Sequence, residues 1–374
     1  MTFGRAFSAE LGRISRSKLD IVLLTLLPFV LLGSMAAMLY GGSLKELPVV
    51  VVDLDGGPLA REIMRDIDAS FRLKIVGQEP DFESALARVR TEDAVAILVI
   101  PQRADGNWTR GAQFRIAYQA SFLSTGTLAS TQIQQIVAEA VVADLPPSAG
   151  LAGLAAVDFP LPSLQVTEIG NPNVSMGWYL GLLLGPGTLH LVIAITCISA
   201  LAPLLQDGSF ARYAARTPRL LPDIAGRLTP HVIAGTAMGI AWTLWLILGQ
   251  GYVIEGSIWI IALGFVFLFA ATGAIAMLLL AITRTVSTSL SGAVIIAGSA
   301  LAYSGASLPL MGANLFARSW SQVLPLTHYI ALQMDAVIGS TAQPMLASFG
   351  VLLLYPLVAG TAAIALIRLS GRLT

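Results

Sequence analysis

The chain has 374 residues, in which 22 Lys and Arg balance 22 Asp and Glu. Hydrophobic residues make up 55% and charged residues 12%, about half the roughly 25% charged residues of a soluble domain, which excludes an ordinary water-soluble enzyme and points to a membrane protein. The balanced charge gives no footprint for a nucleic-acid partner, and the single cysteine, Cys197, excludes an intrachain disulfide.

Taken in order, Phe3, Phe7, Leu11 and Ile14 recur at spacings of four, four and three, with Arg5, Glu10, Arg13 and Arg16 between them. This pattern predicts an amphipathic helix within residues 1–20, lying on the cytoplasmic membrane face; a soluble helix packed on a partner is the alternative. Residues 21–40 form a first span, as long as a bilayer core requires and without the small-residue cleavage site of a removable signal. Residues 41–175 are the one large hydrophilic block. They alternate strand 48–52, helix 59–69, strand 73–76, helix 82–90, strands 94–100 and 113–118, and a long helix 123–144, the order of a small α/β domain. The long helix places Ile133, Val137, Ala140 and Val141 along one stripe, for the sheet or for a second subunit, and 146–173 reads as a return linker.

Five further spans follow at 176–205, 228–250, 258–282, 286–307 and 345–367, within a membrane domain covering 176–367, and residues 368–374 are a tail. The fold class is therefore a polytopic α-helical membrane protein of six transmembrane helices with an inserted α/β extracytoplasmic domain. Arg5, Arg13, Arg16, Lys18, Arg212, Arg216, Arg219, Arg227, Arg284, Arg368 and Arg372 collect on one side, against Arg318 in the short loops opposite, so both termini are expected in the cytoplasm. Tyr40, Trp178, Tyr179, Tyr252 and Trp259 then fall near the outer interface. Near 307–344 the chain is too apolar for a free loop, and Pro309, Pro325 and Pro344 break it. It reads as a re-entrant pair of short helices or a surface hairpin.

The run PVVVVDLDGGPLA (48–60) resembles the nucleophile loop of haloacid-dehalogenase-like phosphatases, a strand followed by DxDG. The remaining parts of such a site are missing: the only later Lys of the block is Lys74, and the acidic pair Glu92 and Asp93 precedes its strand. Asp53 and Asp55 are therefore expected as strand-end and turn residues, with Pro58 opening a helix.

Four segments carry another resemblance. LPVVVVDLDGGPLAREI, LLLGPGTL (182–189), ARTP (215–218) and YSGASLPL followed by VLPLTHYIALQMDAVIG (323–339) are similar, in order and spacing, to elements of the type 2 membrane family of ATP-binding-cassette exporter permeases. The likeness extends over nearly the whole chain. One departure is the turn LLQDGSFARYAARTP, which lacks the family's usual Glu pattern. The resemblance implies a transport subunit in a bacterial inner membrane, dimerising with a second copy or a homologous permease and coupled to separate ATPase subunits. ATP and magnesium would be bound there, since this chain has no G-x-x-x-x-G-K-[ST] loop. A periplasmic adaptor is implied by the resemblance alone, and membrane lipid is the surrounding partner.

The loop 206–227 is the expected ATPase contact, through Gln206, Asp207, Gly208, Ser209, Arg212 and Arg216. Pro186, Gly187, His190, Gly305, Pro309 and Pro325 are the pathway or gating candidates, His190 because ionisable groups inside spans are functional by default. His231, His328 and Asp335 are weaker candidates near the interfaces. No catalytic residue and no metal ligand set is expected, because three scattered His and one Cys give no ligand spacing. The competing reading is a membrane-anchored receptor or assembly scaffold without transport activity. A secondary transporter would call for inverted repeats and paired intramembrane acids, which the sequence lacks.

Overall fold

The computed structural model describes residues 1–40, 46–91, 93–102, 114–118, 123–143, 175–205, 209–305, 310 and 313–372. The chain divides into two compact units: Met1–Gly42 with Ile169–Thr374, and Ser43–Glu168.

In the smaller unit, β1 (Leu47–Asp53), α3 (Pro58–Ala69), β2 (Leu73–Gln78), α4 (Phe82–Arg90), β3 (Ala96–Ile100), β4 (Arg115–Tyr118) and α5 (Leu123–Ala143) build a four-stranded sheet of order β2-β1-β3-β4. The β1–β2 and β1–β3 pairs are parallel and β4 closes the edge antiparallel to β3. The Val49–Val52 run is buried on both faces, as central parallel strands demand. Val49 and Val51 pack with Leu59 and Ile63 of α3 and Ile133 and Val137 of α5. Val50 and Val52 pack with Ala85 and Val89 of α4. The stripe on α5 is thus core, not a subunit seam. Pro58 occupies the first turn of α3, where its missing N–H has no partner to lose. The Asp81 side chain caps α4 by accepting from Ser84 N at 2.8 Å. That bond to the anion holds its carboxyl below the ordinary value.

At the DxDG turn both aspartates bond to the backbone, the strand-end and turn roles expected of them. Asp53 Oδ1 accepts from the backbone N–H groups of Asp55 and Gly56, both at 2.9 Å, and Asp55 Oδ2 accepts from Gly57 N at 3.2 Å. Both side chains are spent on shaping a turn, in which Gly56 sits at φ +60°.

In the larger unit, α1 (Phe3–Arg16) precedes the first apolar helix α2 (Lys18–Leu39), which contains a π-helical turn at Val22–Leu26. There follow α6 (Met176–Leu201), α7 (Ala211–Arg216), α8 (Leu220–Leu244), α9 (Ile258–Thr283), α10 (Val286–Tyr303), α11 (Leu315–Val323), α12 (Pro325–Ile338) and α13 (Ala342–Arg372). Among the described residues six helices are long and apolar enough to cross a membrane: α2, α6, α8, α9, α10 and α13. The centre is α9, whose Phe265 and Phe269 are fully buried and whose Phe265 ring lies 4.7 Å from that of Tyr329 on α12.

One expectation is corrected in this unit. Residues 220–227, placed in a partly helical loop before the span, are the first two turns of α8; Asp223 and Arg227 pair with each other there at i, i+4. Trp178 is 2% exposed and packs at 4.7 Å on the ring of Tyr252. On α10 the small residues Ser289, Ala293, Ala297 and Ala300 are buried within this chain, while Ser291 and Gly298 stay exposed.

Candidate functional site

The densest polar chemistry lies where α1, α2, α6, α7 and α8 meet. Helix α1 approaches α8 closely because Gly226 has no side chain; a Cβ there would stand 2.5 Å from Phe3 O and 2.8 Å from Ala6 Cβ. This contact turns Ala6 and Glu10 inward, both 0% exposed, and leaves Phe3 and Leu11 about half exposed. The apolar stripe therefore remains open to a membrane interface, and the buried side of α1 is its Ala6–Glu10–Arg13 side.

Glu10 Oε1 accepts from Arg13 Nε and Nη2 at 2.9 and 2.6 Å and lies 3.2 Å from His231 Nε2 on α8. Since a carboxylate can only accept, Nε2 carries the shared proton. Burial alone would raise the Glu10 carboxyl, but the bonds from His231 and Arg13 outweigh it and hold it below its ordinary value. Arg13 Nη1 continues to Asp20 Oδ2 at 2.7 Å at the head of α2, and Ser199 of α6 donates to the other Asp20 oxygen at 3.3 Å.

On the other flank Arg227 stands 4.0 Å from Glu10 Oε2 and donates to Asp223 Oδ2 at 3.2 Å. Tyr213 of α7 donates to the same oxygen at 2.7 Å, and the Met1 amino group is 3.6 Å from Oδ1. Burial, and then the hydrogen bond to Asp223, push the Tyr213 phenol far above its ordinary value, so it stays a donor. A connected polar chain thus runs from α7 through α8 and α1 to the base of α2 and to α6. None of its groups is a free nucleophile; what it does is hold five helices in one register.

Of the sequence-derived coupling residues, Ser209, Arg212 and Arg216 are described, whereas Gln206, Asp207 and Gly208 lie outside the described residues. Ser209 Oγ accepts from Ala211 N at 3.1 Å and opens α7. Arg212 and Arg216 are exposed on that helix, whose opposite side is anchored by buried Phe210 and Ala211 and by Tyr213. The sequence reading missed Glu10, Asp20, Tyr213 and Asp223. The available signal was an acid facing a glycine-containing helix base rich in Arg and His, which is legible only once the helices are paired.

The gating candidates fall into two places. Pro186, inside α6, has no N–H for the carbonyl of Leu182. Gln333 of α12 fills that gap, donating Nε2 to Leu182 O at 2.9 Å in a buried position. Gly187 lets α10 close in, since a Cβ there would lie 2.3 Å from Leu301 Cδ2. One turn on, His190 Nδ1 lies 2.8 Å from Thr272 Oγ1 of α9, and its Nε2 has no partner among the described residues. The ring lines a cavity of about 10 Å³ beside Ala293 and Ala297, the size of a single water. Gly305, at φ +79°, ends the segment after α10, Pro325 opens α12, and Pro309 lies outside the described residues. His328 Nε2 meets Gln322 O at 3.0 Å, and Asp335 caps its helix end with Ser340.

No curated protein and no solved structure matches the chain significantly. A family model described as ABC-2 family transporter protein matches residues 18–365, a span that takes in α2, the α/β unit and all five later membrane helices. With six apolar helices of spanning length, an N-terminal helix clamped to their base and a family match over nearly its whole length, this multi-pass chain belongs to the ABC-2 family of transporter proteins as a permease.

Proposed function

We propose that this permease is the transmembrane half of an ATP-driven exporter, working as a dimer of two copies or with a homologous permease, and driven by separate ATPase subunits that contact α7. The single observation that carries this reading is the polar chain from Tyr213 to Asp20. Arg212 and Arg216 present an exposed basic face on α7. Tyr213, on the same short helix, is fastened to Asp223, so a push on α7 is transmitted as a rigid-body displacement to α8, and through Glu10 and Arg13 to α1 and α2. A buried, hydrogen-bonded ion network suits this role because it has few alternative arrangements.

The Arg-rich end would face the cytoplasm of a bacterial inner membrane, with both termini there. The α/β unit would then lie outside, where a periplasmic adaptor could meet it. ATP and magnesium would be bound by the ATPase partner, with none held by this chain.

The test is affinity purification of the tagged chain from native membranes in mild detergent, with mass spectrometry of what accompanies it. A near-stoichiometric ATPase that is lost on substituting Arg212→Glu and Arg216→Glu supports the proposal. Recovery of a stable outer-domain partner with no ATPase overturns it in favour of a scaffold.

A further inference from the structure

Between α8, α9 and α13 the larger unit has an apolar slot of about 190 Å³, larger than the roughly 150 Å³ engineered cavity that admits benzene. Its walls include Leu228, Val232, Gly273, Met277, Gly360 and Ile364. Thr229, the one hydroxyl there, donates to Ala225 O of its own helix at 2.7 Å, so no wall group needs a polar ligand. Along α13 the lining residues Pro356, Gly360 and Ile364 recur every four residues, a stripe about 12 Å long at 1.5 Å per residue.

One turn further on the same stripe stands Arg368, which is exposed. On α8 the slot begins at Leu221, itself 62% exposed, and Arg219 immediately precedes that helix as an exposed residue. An apolar trench with one exposed arginine a turn beyond it on α13 and another just before it on α8 matches a ligand with one alkyl tail lying along the helices and a negative group at its head.

We propose that this slot binds one acyl chain of an anionic phospholipid, with Arg219 and Arg368 holding its phosphate. The surrounding bilayer is the source of the ligand. Arginine suits the head position because its planar fork matches phosphate oxygens, and each guanidinium near the surface favours an anionic lipid. Nothing in this assignment depends on ATPase coupling, so it stands or fails separately from the exporter reading.

The experiment uses the full chain in nanodiscs containing phosphatidylglycerol with a photoactivatable diazirine in one acyl chain, or phosphatidylcholine with the same chain. For the unaltered protein, crosslinks are expected within residues 221–232 and 356–364, with phosphatidylglycerol exceeding phosphatidylcholine by about thirtyfold, the order expected of two surface guanidiniums. Arg219→Gln with Arg368→Gln should bring the two lipids level. Gly360→Leu should remove the crosslinks, because a Cβ there meets only Met277 Cε at 4.0 Å and the added side chain enters the slot. Equal labelling by both lipids in the unaltered protein, or crosslinks confined to other helices, overturns the proposal without recourse to any variant.

Discussion

The two units use charge in opposite ways. In the α/β unit, Lys74 and Glu46 pair at 3.2 Å with side chains 58% and 68% exposed, outside a core made of Val, Leu and Ile. In the membrane unit, Glu10, Asp20, Asp223 and His231 are all under 5% exposed and bonded to one another's partners. The reason lies in the solvent. Water rewards any burial of apolar surface, so the sheet and its helices need no polar pairs to define the core. Lipid is as apolar as leucine, so a membrane bundle gains little from apolar contact alone, and close packing and directional bonds must set its register.

The comparison is most severely challenged by Glu10→Ala, which leaves Arg13 and His231 without their shared acceptor. It should destabilise the membrane unit by about 3–5 kcal/mol, read as a large fall in melting temperature of the detergent-solubilised protein. Acidification probes the same group. Because the folded value of Glu10 is depressed, its contribution is fully present above the ordinary value near 4.5 and is lost as pH falls through the lower, folded one. Amide exchange along residues 3–16 should therefore stay slow from neutrality down to about that point and accelerate below it; acceleration already near neutrality would assign the clamp to another group.

Tyr213→Phe removes a bond to a charged acceptor and should cost about 1.5–3 kcal/mol. If α7 transmits motion, ATPase stimulation by cargo should fall even where the ATPase still copurifies. Gln333→Leu strands the Leu182 carbonyl that Pro186 left open and should cost about 1–3 kcal/mol, measured by the same melting assay. Lys74→Ala marks the other end of the scale, with about 0–1 kcal/mol expected for an exposed pair. A loss comparable to that of Glu10→Ala would erase the contrast between the units.

Much of the architecture could be read from periodicity. The run Val49–Val52, the Gly-Gly-Pro turn and the α5 stripe led to strand, turn and core helix because each signal is local. The six apolar helices were legible from length alone. The base of α8 was placed in the loop 206–227 because the apolar run that marks the span begins only at Leu228, whereas the helix itself starts at Leu220. The spacing of Phe3, Phe7, Leu11 and Ile14 sets Glu10 among the polar positions of α1, yet Glu10 is buried, since a periodic pattern cannot show that Gly226 opens room for that face. The union of Pro186 with Gln333 joins residues far apart in the chain, and nothing in either neighbourhood announces the other. Arg212 and Arg216 stand exposed on α7, and the contact proposed for them, with a second chain, leaves no pattern in this one.

The π-helical turn at Val22–Leu26 has a consequence for how the first span can change. Such a turn holds one residue more than an α-turn, so the helix beyond it is rotated by about 100° relative to an uninterrupted helix of 3.6 residues per turn. The span thus contains a spare residue at a fixed place. Deleting one residue within 22–26 would convert the bulge to ordinary α-helix while leaving Leu32 and Leu39 in their buried positions. The same deletion after Pro28 would swing them out toward lipid. The first span can accommodate loss of a residue at its base, next to the Asp20 anchor, and nowhere else along its length without changing the face it presents.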